Sequence, residues 1–250
     1  MNIKLIRECV FWSSEVWSRP FIEYLENNQS IKDLNTFLEL GAGEYSSLSP
    51  YFLSLGKKTT CSYFYSEKSK YYAEDSLRKI RLRNDYLIEK YEIEGEIEYK
   101  RIDIFELEER YDIIFLKSIL GGLYRYDESD IKEVNNLIEI IRNNNLSKNG
   151  HLITIDNGKS LFEKPLEDLG LRKNKWRYFN SSDLVNYDQE YSFGFTTVFS
   201  LRTRNLFLGN IVERLLYIVD LIIAKLFHNR YPTVILKVFR RLELKKDPKI

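Results

Sequence analysis

The feature that most restricts this chain is a rhythm. Five short apolar stretches recur along it: "TFLEL" at 36–40, "TTCSYFY" at 59–65, "EIEYKRI" at 96–102, "YDIIFLKS" at 111–118 and "GHLITID" at 150–156. Runs of this length, rich in β-branched and aromatic residues, read as strands. Between them lie segments of helical period: 47–56, closed by Gly56; about 66–91, with Ser66 as N-cap; and 128–145, with Ile131, Val134, Leu137, Ile138 and Ile141 on one face. Strands alternating with helices of this length predict a parallel sheet covered on both faces. Residues 3–28 read as two helices broken at Pro20, because proline is tolerated in a first turn but not in a helix interior. After residue 156 the rhythm stops. Residues 157–191 are irregular and rich in Asn, Lys and aromatics. "SFGFTTVFSL" then reads as a strand, 210–227 as an apolar helix and "PTVILKVFRR" as a last strand. No repeat, low-complexity segment or linker divides the 250 residues, which suit one large domain.

The first strand ends in "NTFLELGAGEYSSLSPYF", residues 35–52, where Glu39 precedes Gly41 and Gly43 and small polar residues follow. In an open parallel sheet, ligands bind beyond the carboxyl ends of the strands, where the strand order reverses. Glycine there permits positive φ and lets a ligand lie on bare backbone. A phosphate-binding P-loop fails: around Gly56-Lys57, Tyr51 replaces the first glycine and Lys58 the Ser or Thr. A dinucleotide loop fits poorly, since Ser46 stands at the third glycine and no acid closes the second strand. A Tyr-x-x-x-Lys pair at Tyr86 and Lys90 lies in the helix after the second strand, out of reach of a nicotinamide.

The third reading fits best. E-x-G-x-G, with the acid two residues before the first glycine, resembles motif I of the class I S-adenosylmethionine-dependent methyltransferases. The resemblance spans about residues 35–156. "IEYKRIDIFEL" resembles the family's third-strand motif, "YDIIFLKSILGGL" its fourth and "LSKNGHLITID" its fifth; a late helix and a last strand resemble its tail. The resemblance implies an α/β fold with a doubly wound, seven-stranded, mostly parallel sheet in the order 3-2-1-4-5-7-6, the last strand antiparallel, and helices on both faces. It implies an N-terminal helical cover at 1–30 and a methyltransferase domain at 31–250 with a substrate-side insert at about 157–191. It implies S-adenosyl-L-methionine as cofactor, held by Glu39, Gly41, Ala42, Gly43, Tyr65, Glu67, Asp103, Ile104, Lys117 and Ser118. In the family the glycine loop wraps the methionine part, the acid orders its amino group, and Asp103 stands beside the adenine amino group. One departure matters. The family ends its second strand with an acid that binds the ribose, and here Phe64 stands there. Glu67, three residues on, either reaches the ribose or complements a helix dipole. With that acid lost, the alternative is a non-catalytic adenosyl-ligand binding or scaffold protein.

Methyl transfer is an in-line displacement governed by positioning, and a hydroxyl acceptor gains from a general base. Lys117 and Ser118 end the fourth strand, where amino-group methyltransferases carry Asn-Pro-Pro-Tyr, absent here. Asp156 ends the fifth strand and is the first candidate base, with Lys117 the other catalytic candidate; a loop-capping role for Asp156 stands beside this. His151 begins the fifth strand at the wrong edge and reads as structural, and His228 reads as a helix-end partner. No cluster has metal-ligand spacing, so no metal is expected. Trp12, Trp17, Arg19, Trp176, Arg177 and Tyr178 suit a sugar or an anion, and equally a lid on the core. Gly121-Gly122 leave room for a substrate that Tyr124 and Arg125 would line. "KSILGGLYR" resembles bacterial small-molecule methyltransferases, some encoded with glycan-assembly genes. The expected reaction is O-methylation of a small molecule such as a sugar or a lipid-linked glycan precursor.

A net charge of +1 gives no electrostatic case for nucleic acid. Two cysteines, Cys9 and Cys61, make no disulfide framework, so a reducing compartment is expected. Lys4, Arg7, Glu8 and Glu15 interrupt the first apolar residues, unlike a signal peptide, and the expected location is cytoplasmic. The longest apolar stretch, 210–227, contains Glu213, Arg214, Asp220 and Lys225 and makes a poor membrane span. On a helix, Glu213, Tyr217, Asp220, Ala224 and His228 form a narrow mixed stripe, and the rest is apolar. The expectation is a mostly buried helix on the sheet; a peripheral membrane contact or a homodimer are the alternatives.

Overall fold

The computed structural model describes residues 1–10, 14–43, 46–65, 74–124, 130–161, 165, 168–169, 177–195, 206–227 and 232–241. Strands β1 (Thr36–Ala42), β2 (Lys58–Tyr65), β3 (Ile97–Asp103), β4 (Tyr111–Lys117), β5 (Leu146–Asn157), β6 (Gln189–Phe193) and β7 (Val234–Arg240) form one sheet. Its order is β3-β2-β1-β4-β5-β7-β6. The first five strands run parallel. β7 runs antiparallel to both β5 and β6. This is the order the resemblance implies, and it places the reversal between β1 and β4.

Central strands read as continuous apolar runs because helices cover both faces. On one face Phe37, Ile113, Phe115, Ile153, Ile155, Leu236 and Val238 lie beneath α1 (Ile3–Cys9), α2 (Ser14–Asn27) and α3 (Ser49–Ser54). Phe37 stacks on Phe52 with ring centroids 3.9 Å apart, and Phe21 of α2 meets Phe52 and Phe115 edge-on. Helix α4 (Glu74–Lys90) adds Ile80 over Cys61 and Ile97. On the other face Leu38, Leu40, Ile114, Leu116, Leu152 and Phe239 pack against α6 (Ile131–Asn144), whose Val134, Leu137, Ile138 and Ile141 are all buried. The short α5 (Leu120–Leu123) follows β4 on that side. Asp112, in the aromatic-Asp start of β4, accepts from the amides of Asn35 and Thr36 at 2.8 and 3.0 Å and pins β1 beside β4.

Three expectations are corrected. Pro20 does not break the N-terminal helices; α1 ends at Cys9, and α2 runs through Pro20. An interior proline costs about 3 kcal/mol, and the complete burial of Val16, Phe21 and Tyr24 around it offsets that. β6 begins at Gln189, within the stretch read as irregular, because it pairs with β7 through Gln189↔Val238 to Phe193↔Val234. The third concerns the apolar helix, α7 (Leu206–Phe227). It is not mostly buried. Tyr217, Leu221 and Ala224 pack on the core and Asp220 is buried, while Ile211, Leu215, Ile218, Val219, Ile222 and Leu226 are exposed. Tyr217, Asp220, Leu221 and Ala224 face in and the apolar arc turns out: α7 packs against α2, and Tyr217 lies 5.5 Å from Phe193 of β6.

One buried cation ties the polypeptide after β5 to the sheet. Lys237 of β7 is fully buried, and its Nζ donates to the carbonyls of Ser181 and Leu184 (2.7 Å), lies 3.3 Å from Glu190 and sits 3.6 Å above the Tyr187 ring. Burial pulls its pKa down, and Glu190 opposes this. Lys237→Met keeps the stem but leaves two carbonyls and Glu190 without their cation. We expect a loss of about 2–3 kcal/mol. In thermal unfolding by circular dichroism, Tm should fall by about 5–10 °C. An unchanged Tm would show that the ammonium does not hold this segment.

Candidate functional site

The carboxyl edge of the sheet is shaped by Glu39. It is 1 % exposed, and its carboxylate accepts from Ser47 Oγ (2.7 Å), Leu48 N (3.0 Å), Ser49 N (3.0 Å) and Ser49 Oγ (2.6 Å). Burial raises its pKa, and the two serines and two amides oppose the rise. The acid thus fastens the start of α3 under the strand end. Between Glu39 and Ala42 three steps along β1 match two along β2, a bulge at which Gly41 has φ 71°. Gly43 and Ser46 then exchange backbone hydrogen bonds of 3.0 and 3.1 Å.

Gly41 and Gly43 differ in what they are for. The positive φ of Gly41 is a demand of the fold. Gly43 has no such demand: among the described residues a Cβ there would meet nothing nearer than Ser46 O at 4.0 Å. The described structure therefore leaves open space beside the Gly43 Cα, while its N–H and C=O are paired with Ser46.

Lys117 and Asp156 end neighbouring strands. Lys117 pairs with Ile155, so Lys117 and Asp156 point to opposite faces of the same edge. Lys117 lies partly exposed on the Glu39 side, with Nζ 4.9 Å from the centre of the Trp17 ring. Burial lowers its pKa to about 7; the charge of Glu39 opposes this and that of Arg83 adds to it. Asp156 is 1 % exposed, and among the described residues neither carboxylate oxygen has a hydrogen-bond partner. Burial raises its pKa to about 7, and the nearby Gly121 amide offsets this only in part. Sequence reasoning placed Lys117 and Asp156 at the two strand ends, and both are there.

The remaining candidates spread along the edge. Ala42 is buried beside Tyr63 in register. Tyr65 ends β2 opposite Asp103, whose side chain accepts from Phe105 N at 3.0 Å, and Ile104 is buried next to it. Ser118 has φ 55°, a left-handed conformation unusual for a residue with a Cβ, and its N–H donates to Ile155 O at 2.7 Å. Glu67, Trp12, Arg125, Trp176 and His228 lie outside the described residues. Arg177, singled out for an anion, is buried, donating from Nε to Tyr124 O at 2.7 Å and from its amide to Gly121 O at 2.9 Å. Tyr124 and Tyr178 are buried, whereas Arg19 is exposed. His151 is buried with Nδ1 2.5 Å from the Tyr24 hydroxyl, and burial lowers its pKa to about 4. It ties α2 to β5 at the far edge.

Sequence reasoning missed the partners of Glu39. The hydroxyl run Ser46-Ser47-Leu48-Ser49 was its signal, since two of those hydroxyls satisfy the acid. Nothing in the sequence tied Trp17 to Lys117, which are 100 residues apart. Among the described residues no group of three His, Cys, Asp or Glu could hold a metal ion.

No protein-family model matches the sequence. No curated protein matches it either. Solved structures do match. A SAM-dependent methyltransferase from Methanosarcina mazei is 14 % identical, with a TM-score of 0.52 over 87 % of this chain and 98 % of that one. Magnesium protoporphyrin IX methyltransferase from Synechocystis PCC 6803, solved with bound SAH, is 13 % identical, with a TM-score of 0.50 over 88 % of this chain and 80 % of that one. At such identities the likeness is one of fold: this chain has the class I methyltransferase fold.

Asp156 makes a prediction by linkage. Its folded pKa stands above the 3.8 of a free side chain, so its stabilising contribution is complete at acid pH and is lost as pH rises to about 7. Asp156→Asn escapes that loss. In denaturant titrations the variant's advantage should grow from near zero at about pH 4 to about 4 kcal/mol at about pH 8. A gap that does not change with pH would mean that the carboxyl is not held in this environment.

Proposed function

We propose that this chain is an S-adenosylmethionine-dependent methyltransferase that methylates a hydroxyl of a small molecule, with a sugar or a lipid-linked glycan precursor as the acceptor class. The observation that carries this reading is Asp156: a buried carboxylate with only the Gly121 amide near it, raised to about 7, at the carboxyl edge two strands from the glycine loop. A group held against stability in this way is characteristic of a site where it has chemistry to do. Within this reading residues 1–30 cover the domain at 31–250, and the insert at about 157–191 closes the acceptor side.

The chain's residues fit the cofactor. Gly43 leaves open space beside its Cα in which a ligand could lie. Gly41, Ala42 and Gly43 would lie along the methionine part, with Glu39 holding their loop in shape through Ser47 and Ser49. Asp103 and Ile104 would take the adenine, and Tyr65, Glu67 and Ser118 complete the set. The SAH in the Synechocystis neighbour supports the choice of cofactor. Bound there, S-adenosylmethionine supplies a methyl group carried on a sulfonium.

Asp156 then accepts the proton of the acceptor hydroxyl on a carboxylate oxygen. A pKa of about 7 leaves enough of it ionised at neutral pH and keeps it a usable base. Lys117 ends the neighbouring strand on the opposite face: burial brings its pKa to about 7, so near neutrality part of it is uncharged and it would orient an acceptor oxygen from that side. Trp17 presents an aromatic face of the kind a sugar ring packs on. The neighbours' names include a porphyrin methyltransferase, so the fold leaves the acceptor to be found by assay.

One observation favours a second reading. β2, "KTTCSYFY", carries no acid for a ribose, which suits an adenosyl-ligand binding protein without turnover. Calorimetric titration with S-adenosylmethionine and S-adenosylhomocysteine decides the first step: the wild type should bind both, and Gly43→Val should abolish binding with Tm unchanged. With radiolabelled cofactor and a panel of sugars and lipid-linked glycans, Asp156→Asn should still bind cofactor yet lose at least about a hundredfold in rate. The wild-type rate should rise with pH through about 7. Binding without transfer to any acceptor would favour the second reading, and absence of binding by folded wild type would sink both.

A further inference from the structure

We propose that the outward face of α7 docks on an anionic lipid surface. Successive residues of a helix turn by about 100°, and on that wheel Ile211, Leu215, Ile218, Val219, Ile222 and Leu226 share one arc. All six are exposed, Leu226 by 68 % and Leu215 by 59 %. A helix lodged on a soluble core turns its apolar arc inward; α7 turns Asp220 inward and buries it, with Tyr217, Leu221 and Ala224 around it. Apolar surface on this scale, contiguous and facing out, is the mark of an interaction face.

Charge selects the occupant. Arg214 and Lys225 are exposed and border the stripe on one side. Of the charged side chains of α7 that are described, the exposed ones are both cations, Arg214 and Lys225, and the acid Asp220 is buried. A second copy of α7 fits this face badly. An antiparallel pair centred on the stripe would set Arg214 against Lys225, and a parallel pair would set each cation against itself; the described side chains of the stripe offer no acid in return. An anionic bilayer answers both features, taking the apolar arc among its acyl chains and the cations at its headgroups. The helix lies along the surface rather than across it, since its other side is packed on the protein and no described helix is long and apolar enough to cross a membrane. The inference stands whether or not the chain transfers methyl groups.

The test is co-sedimentation of the full chain with phosphatidylcholine vesicles, with and without about 30 mol % phosphatidylglycerol. The wild type should bind the anionic vesicles at least about tenfold more tightly than the neutral ones, and added salt should weaken it. Ile218→Glu/Ile222→Glu should lose binding with Tm unchanged, because both side chains project from the protein. Arg214→Glu/Lys225→Glu leaves the stripe intact and should weaken binding about tenfold or more. Equal or absent binding to the two vesicle types overturns the proposal. So does retained binding by Ile218→Glu/Ile222→Glu, or a wild-type dimer in analytical ultracentrifugation that the same variant dissolves.

Discussion

A single buried carboxylate organises the carboxyl edge of the sheet. Glu39 lies at the end of β1, out of water, and an acid so placed must be hydrogen-bonded or neutral. Ser47, Leu48 and Ser49 bring it four donors, and in doing so they fix where β1 stops, how the bulge at Gly41 turns and where α3 begins. The open space beside Gly43 is a consequence. Its position is set by Glu39 on one side and by the exchange with Ser46 on the other.

Two further ionisable groups are pushed toward neutrality from opposite ends of the scale. The Lys117 pKa falls and the Asp156 pKa rises, both to about 7, and burial is the first cause in each. They differ in company. Lys117 has the Trp17 ring and the charge of Glu39, whereas Asp156 has little beyond the Gly121 amide. Buried groups with a structural duty look otherwise: Lys237 is surrounded by two carbonyls, a carboxylate and a ring, and His151 by the Tyr24 hydroxyl. This contrast, rather than burial alone, separates Asp156 from the structural polar groups.

α7 shows how a pattern can be read correctly in period and wrongly in direction. The 3.6-residue spacing specifies which side chains share a face, but not which face the protein takes. The helix packs against α2, with Tyr217 beside Phe193 of β6, and there Tyr217, Leu221 and Ala224 join the core. The larger apolar arc is left over. The same limit applied at Pro20, where local propensity predicted a break and the burial of Phe21 and Tyr24 outweighed it.

By itself the sequence determined the alternation of strands and helices, the sheet order through its resemblance to a family, the glycine turn after β1, and Lys117 and Asp156 at strand ends. These are local or periodic properties, and a few neighbouring residues encode each of them. Tertiary structure alone decided what every polar group meets. It set Trp17 against Lys117 across 100 residues, brought Lys237 to the carbonyls of Ser181 and Leu184, and left Asp156 with only the Gly121 amide near it. It also chose the side of α7 that faces out. Such outcomes depend on which surfaces meet when the layers close, and contacts between residues far apart in the chain leave no local trace for a single sequence to show.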